Sequence, residues 1–104
     1  MGIFSMLFGS ANKNKIADLC KQGALLVDVR TPAEFSTGSV KGAINIPLNT
    51  IHNQTAKFKN KNNIIVFCKS GIRSAQAKSI LEQSGITNVT NGGTWQSVHN
   101  AINN

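Results

Sequence analysis

Ile64-Ile65-Val66-Phe67-Cys68-Lys69-Ser70-Gly71-Ile72-Arg73-Ser74 is the stretch on which the reading of this chain turns. Four apolar, β-favouring residues run straight into a cysteine, the pattern of a buried strand that ends in a thiol. A short polar loop with one glycine follows, then a helical pattern through Ser84. Ala75, Ala77, Ile80 and Leu81 form its apolar face, Gln76, Lys78, Glu82 and Gln83 lie outside, and Gly85 stops it. Strand, tight turn and helix start in that order make a place to hold a sulfur anion. Backbone N–H groups of the turn point inward, and the helix N-terminus adds partial positive charge. Such surroundings lower a cysteine pKa from about 8.5 toward the ~3.5–7.5 range.

Upstream of this stretch, Lys57 to Asn63 is a polar, basic loop. Ala24-Leu25-Leu26-Val27-Asp28-Val29 is a near-continuous apolar run between Gly23 and Pro32, and reads as a central strand buried on both faces. Asp28 interrupts it, and a buried carboxylate must find donors, with Arg30, Arg73 or loop N–H groups as candidates. Thr31-Pro32-Ala33-Glu34 opens a short helix: Thr31 caps, Pro32 takes the first turn and Glu34 closes a capping box. Phe35 anchors that helix and Gly38 ends it. Gly42-Ala43-Ile44-Asn45-Ile46-Pro47 is a short strand between a glycine turn and a proline. Asn49 or Thr50 then caps a weak helix with Ile51, Ala56 and Phe58 on its apolar side. At the N-terminal side, Ser10 to Gly23 reads as a helix capped by Asn12 or Asn14, with Ile16, Ala17, Leu19 and Cys20 as its stripe.

Downstream, Ile86 to Thr90 is another strand, Asn91-Gly92-Gly93 a turn, and Thr94 to Ile102 a last helix carrying Trp95, Val98 and Ile102. Strands alternating with helices over short connections imply a parallel, helix-covered sheet. The expected fold class is α/β: a central, mostly parallel five-stranded sheet covered by helices on both faces. Ligands of such sheets bind beyond the C-terminal ends of the strands, where Cys68 lies.

Composition narrows the chemistry. With 104 residues, 40% of them hydrophobic and 14% charged, the chain is one globular domain and not a disordered one. It holds no apolar run suited to a transmembrane segment. Eleven Lys+Arg against four Asp+Glu leave a net charge of +7. The lysines are scattered among Asn and Gln without a dense basic run and with few aromatics, so the charge suits small anions and not nucleic acid. Cys20 and Cys68 form neither a CxxC pair nor a zinc spacing. No metal or cofactor is expected, and two free thiols fit a reducing, cytoplasmic compartment. Cys20 reads as a small buried thiol on its helix stripe. His52 and His99, without partner motifs, read as surface residues. Met1 to Gly9 is apolar and uncharged, unlike a secretory signal or a myristoylation site. It is expected to pack on the domain or on a second copy as a dimer contact, with a membrane-surface or partner hook as the alternative.

Five pieces then occur in one order: Leu26-Val27-Asp28-Val29-Arg30; Glu34-Phe35 with Gly38; Gly42-Ala43-Ile44-Asn45-Ile46-Pro47; Cys68-Lys69-Ser70-Gly71-Ile72-Arg73-Ser74; and Asn91-Gly92-Gly93 followed by Trp95. In these the chain resembles a single-domain rhodanese, of the sulfurtransferase family. The resemblance spans roughly Ala24 to Trp95. It divides the chain into an apolar N-terminal segment, residues 1–10, and a rhodanese-like domain, residues 11–104. Ser39 stands where the family often has histidine, at a position that reads as structural.

The resemblance implies a function. Cys68 would attack the outer sulfur of a small anionic donor such as thiosulfate and become a persulfide. Cyanide, a thiol or an acceptor protein would then remove that sulfur, in a double displacement. The backbone of Lys69, Ser70, Gly71, Ile72, Arg73 and Ser74 would cradle the sulfur, with Lys69 helping to hold the donor. Arg73 would tie the loop to Asp28 or Glu34, and Asp28, Arg30 and Glu34 would support it.

Two other readings are weighed against this one. Phosphatases and arsenate reductases related to the fold place five residues between cysteine and arginine, whereas four stand here, Lys69 to Ile72. The shorter loop makes a cradle for one sulfur atom and not for a tetrahedral oxyanion. No motif supplies a general acid for a phosphoester leaving group either. The other alternative is a sulfur carrier or partner-docking module with little free turnover.

Overall fold

The computed structural model describes residues 10–103. The N-terminal apolar segment, Met1 to Gly9, lies outside the described residues, and with it the expectation of how it packs. Helix α1 spans Ser10–Lys21, strand β1 Leu25–Asp28, helix α2 Pro32–Ser36 and strand β2 Ile44–Asn45. Two 3-10 turns follow, Leu48–Asn53 and Thr55–Phe58. Then come strand β3 Ile64–Cys68, helix α3 Ile72–Gln83, strand β4 Val89–Thr94 and helix α4 Trp95–Asn103.

The sheet order is β2-β1-β3-β4, and every pairing is parallel. The α/β class and the helix-covered parallel sheet are as expected. The strand count is not: four strands form among the described residues, not five. The connection after Pro47, expected as one weak helix capped by Asn49 or Thr50, coils instead into the two 3-10 turns without a side-chain cap. These turns bury Ile51 and Phe58 while Ala56 stays exposed.

Every residue of β3 is buried, as its apolar run demands, because helices cover both of its faces. One face meets α3 and the 3-10 turns through Val27, Val29, Ile46, Ile51, Phe58, Ile64, Val66, Ala77 and Leu81. The other meets α1 and α4 through Ile16, Val40, Ile65, Phe67, Val98 and Ala101. Alternate residues of β3 thus feed two cores, so a one-residue slip would exchange them.

The expected Asn91-Gly92-Gly93 turn is instead part of β4. Val66 pairs with Asn91 and Phe67 with Gly93, so Gly92 is the extra residue of a β-bulge. A Cβ at Gly92 would stand 2.7 Å from Val98 Cγ2 and 2.9 Å from Ile65 Cγ2. The glycine is there because α4 and β3 close directly on the bulged backbone, not because the chain reverses. The first helix also differs in its start. It already runs at Ser10, so Asn12 and Asn14 are interior positions and not its cap.

The capping box of α2 is present in both halves. The Glu34 N–H donates to Thr31 Oγ1 at 3.2 Å, and the Thr31 N–H donates to Glu34 Oε1 at 3.1 Å. The helix has only five residues and no fully buried side chain, so the box sets its position more than packing does. That position aims Glu34 at the loop after β3.

Candidate active site

Cys68 ends β3 and is fully buried. The chain turns at Gly71, whose φ of +96° puts it in the left-handed region, and α3 starts at Ile72. A side chain at Gly71 would strain that turn. Its conformation directs the Gly71 N–H at the sulfur, with N to Sγ at 3.0 Å. The Ser74 hydroxyl lies 3.5 Å from Sγ. The loop therefore closes on its own cysteine, and the N-terminus of a twelve-residue helix points at it.

Burial pushes the Cys68 thiol up, but the Ser74 hydroxyl and the N–H groups of Ser74, Gly71 and Ser70 favour the thiolate more, and the net direction is down. Cys20, half-buried on α1, has only the burial and is pushed up. Cys68 is therefore expected to alkylate at lower pH than Cys20 when both are followed by peptide mass spectrometry. Equal profiles would show that the cradle does not favour the anion.

Arg73 makes a two-pronged ion pair with Glu34. Nη1 lies 2.7 Å from Oε1 and Nη2 lies 3.0 Å from Oε2. Of the two partners expected for Arg73, Glu34 takes it and Asp28 does not. The Arg73 hydrogen bonds, helped by the Thr31 N–H, hold the Glu34 carboxyl at about 2. Because that pKa is lowered in the folded chain, the tie is whole above the ordinary carboxylate range. It is lost only as pH falls toward about 2. Arg73 thus fastens the start of α3 to α2 across the mouth of the site.

Asp28 and Arg30 sit elsewhere. Both are buried, and Arg30 Nη2 lies 2.8 Å from Asp28 Oδ2. The Arg30 side chain also donates to Gly38 O at 2.6 Å and stands 5.3 Å over the Trp95 ring. Ser39 Oγ donates to Asp28 Oδ2 at 2.6 Å. This network pins the end of β1 to the turn after α2 and to α4. It makes no hydrogen bond to residues 68–74, so its support of the loop is indirect. Ser39 serves it directly.

Lys69 and Ser70 are exposed at the rim, and Ile72 is 68% exposed there. Asn91, expected in a turn, belongs to the site instead. It reaches from β4 to Ser74 and to Gly71 O. Only the bulge, which is not legible as local sequence, brings it there. His52 and His99 are both exposed, as read.

A family model described as the rhodanese-like domain matches residues 12–94. The chain belongs to the rhodanese-like domain family. Among curated relatives, thiosulfate sulfurtransferase PspE of Escherichia coli is 42% identical over 69 residues, which cover 64% of this chain and 66% of the relative. A sulfurtransferase of Allochromatium vinosum is 36% identical over 70 residues, covering 67% and 65%. The rhodanese-like chain thus spans just under two thirds of those relatives' lengths. A solved structure described as rhodanese with anions from E. coli superposes with a TM-score of 0.66 at 36% identity, over 72% of this chain and 91% of that one. No helix among the described residues is long and apolar enough to cross a membrane.

Proposed function

We propose that this rhodanese-like domain is a sulfurtransferase that carries sulfane sulfur as a persulfide on Cys68. The observation that carries the reading is the closed cradle: a buried thiol at a strand end, met by the Gly71 N–H at 3.0 Å and by the Ser74 hydroxyl at 3.5 Å, at a helix N-terminus. The relatives named as sulfurtransferases agree with it.

The Cys68 thiolate attacks the outer sulfur of a donor such as thiosulfate. The new S–S bond forms as the donor's S–S bond breaks, and sulfite leaves with the bonding electron pair. The persulfide's outer sulfur is then taken by cyanide or a thiolate, and Cys68 leaves as the thiolate it began as. Gly71, Ser74 and the loop amides hold negative charge on the sulfur whenever Cys68 is the thiolate. Lys69, exposed at the rim, attracts the anionic donor. Arg73 braces the cradle through Glu34, and its charge, shared with that carboxylate, adds to the field at the sulfur.

The test is intact mass spectrometry of the reduced chain after thiosulfate. One added sulfur, removed by cyanide, is expected. No adduct on a chain shown to be reduced at the outset would overturn the reading.

One observation favours a carrier role as a second reading. Ile72 is 68% exposed on the cradle's rim, an apolar contact that thiosulfate does not use and a protein acceptor could. A chain that loads one sulfur but passes it to cyanide far more slowly than to a protein thiol would favour the carrier. Fast turnover with cyanide would favour the enzyme.

A further inference from the structure

The polar contacts behind Cys68 can be counted to completion. Gly71 O accepts from the Ala75 N–H at 3.1 Å and from Asn91 Nδ2 at 3.2 Å, which fills its two lone pairs. Asn91 Oδ1 accepts from the Gly93 N–H at 2.9 Å. These two contacts fix which way the Asn91 amide faces, so the atom it turns to Ser74 is an acceptor only. The Ser74 hydroxyl has one hydrogen and three candidate acceptors: Asn91 Oδ1 at 2.7 Å, Gly71 O at 3.1 Å and Cys68 Sγ at 3.5 Å. Asn91 is the nearest, and the Gly71 carbonyl is already occupied. With its hydrogen on Asn91, Ser74 presents oxygen lone pairs to the sulfur and can accept the Cys68 S–H.

We propose that Asn91 is a positioning residue: it holds the Ser74 hydroxyl turned away from Cys68 while the sulfur is a thiol, and releases it to the sulfur when the sulfur is an anion. Its use in turnover rests on the persulfide reading, but the hydroxyl's two positions belong to the free thiol. When the S–H proton leaves to solvent, the Ser74 hydrogen rotates from Oδ1 to Sγ. Asn91 Oδ1 keeps the Gly93 N–H, so no buried group is orphaned in either state. The same exchange follows sulfur loading and unloading. Asn91 thus makes the buried thiol a tolerable resting state without removing a donor that the anion needs.

The charged and titratable groups around the sulfur are few. Lys69 and Arg73 come from the loop and α3. Glu34 of α2 is taken by Arg73, and Asp28 of β1 by Arg30. The Leu48–Asn53 turn packed on α3 carries the exposed His52, and α4 carries the exposed His99. None of these side chains hydrogen-bonds to Asn91 or to the Ser74 hydroxyl, so a change at Asn91 reads through the hydroxyl.

The experiment is the pH profile of Cys68 alkylation by iodoacetamide, with Cys20 in the same chain as reference. It is run on the full chain, on Asn91→Ala and Asn91→Leu, and on both of these in a Ser74→Ala background. Without Asn91 the thiolate's only competitor for the hydroxyl is the Gly71 carbonyl, freed by the same change and at 3.1 Å a longer contact than Asn91 Oδ1 at 2.7 Å, so the Cys68 profile is expected to move lower by up to about 0.5 pH units. In the Ser74→Ala background the shift disappears. If Asn91 merely braced Gly71, its loss would loosen the cradle and move the profile higher, with or without Ser74. An unchanged profile, a higher one, or a shift that survives Ser74→Ala overturns the proposal. Asn91→Leu keeps the branched side-chain shape and gives the reading should the alanine variant not fold. No sulfur donor enters the assay, so failure of the persulfide test would leave this result standing and the reverse also holds.

Discussion

Asp28→Ala is expected to cost about 3–5 kcal/mol of unfolding free energy, the usual loss when one member of a buried ion pair is removed. Asp28 has no exposed surface and the Arg30 side chain has 5%. The carboxylate takes the Arg30 N–H at 2.9 Å, the Arg30 guanidinium at 2.8–3.0 Å and the Ser39 hydroxyl at 2.6 Å. Its loss leaves a cation in the interior with only Gly38 O and the Trp95 face. The Arg30 N–H and the Ser39 hydroxyl are left unpaired as well. A domain of this size has about 5–15 kcal/mol in total, so the variant stands near the limit of folding. Asp28→Asn should lose less, because an amide oxygen in the Oδ1 position still accepts from the Arg30 N–H and the amide N–H in the Oδ2 position can donate to the Ser39 hydroxyl. Urea unfolding of the two variants reads both values. A loss under about 1 kcal/mol for the alanine variant would mean that Arg30 finds water or another partner, and the network would not be what holds β1 to α4.

Cys68→Ser is expected to remove the thiosulfate-dependent mass adduct and to reduce sulfur transfer to cyanide to the protein-free rate. The cradle favours a sulfur anion, and a serine hydroxyl there stays neutral and forms no persulfide. Stability should change by no more than about 1 kcal/mol, since the hydroxyl can still accept the Gly71 N–H and meet Ser74. Residual turnover well above the protein-free rate would place the chemistry elsewhere, with Cys20 the first suspect. The two variants separate cleanly: Asp28→Ala strikes the fold and spares the thiol, while Cys68→Ser strikes the thiol and spares the fold.

The rim explains why charge and chemistry sit together. The chain has four acidic residues, and two of them, Asp28 and Glu34, are taken by Arg30 and Arg73. Both arginines are thereby spent inside the domain or across the loop. The remaining positive charge is lysine, exposed except at half-buried Lys78, and lysine draws anions without gripping them. Under the proposed sulfur transfer, that suits an anionic donor that must arrive and an anionic product that must leave.

Much was legible in local sequence. The apolar run into Cys68, the glycine after it and the Thr31–Glu34 box all read correctly, because strand burial, left-handed turns and capping boxes are written in neighbouring residues. The α/β order read correctly for the same reason. Three local readings failed: Asn91-Gly92-Gly93 as a turn, Asn12 or Asn14 as the cap of the first helix, and one weak helix after Pro47; the expected count of five strands failed with them. Glycine marks any backbone that must bend or admit a close neighbour. Whether Gly92 turns the chain or bulges a strand depends on Ile65 and Val98, which lie far off in sequence.

That Cys68 ends a buried strand and faces a helix start, with four residues before Arg73, follows from neighbouring residues alone. Tertiary structure alone decided who braces that loop. Glu34 reaches Arg73 from 39 residues away, and Asn91 reaches Ser74 from 17. Parallel strands cannot join by tight turns, so the residues at their C-terminal ends come from distant parts of the chain. Their pairing is set by sheet order and by one bulge, neither of which is a local property.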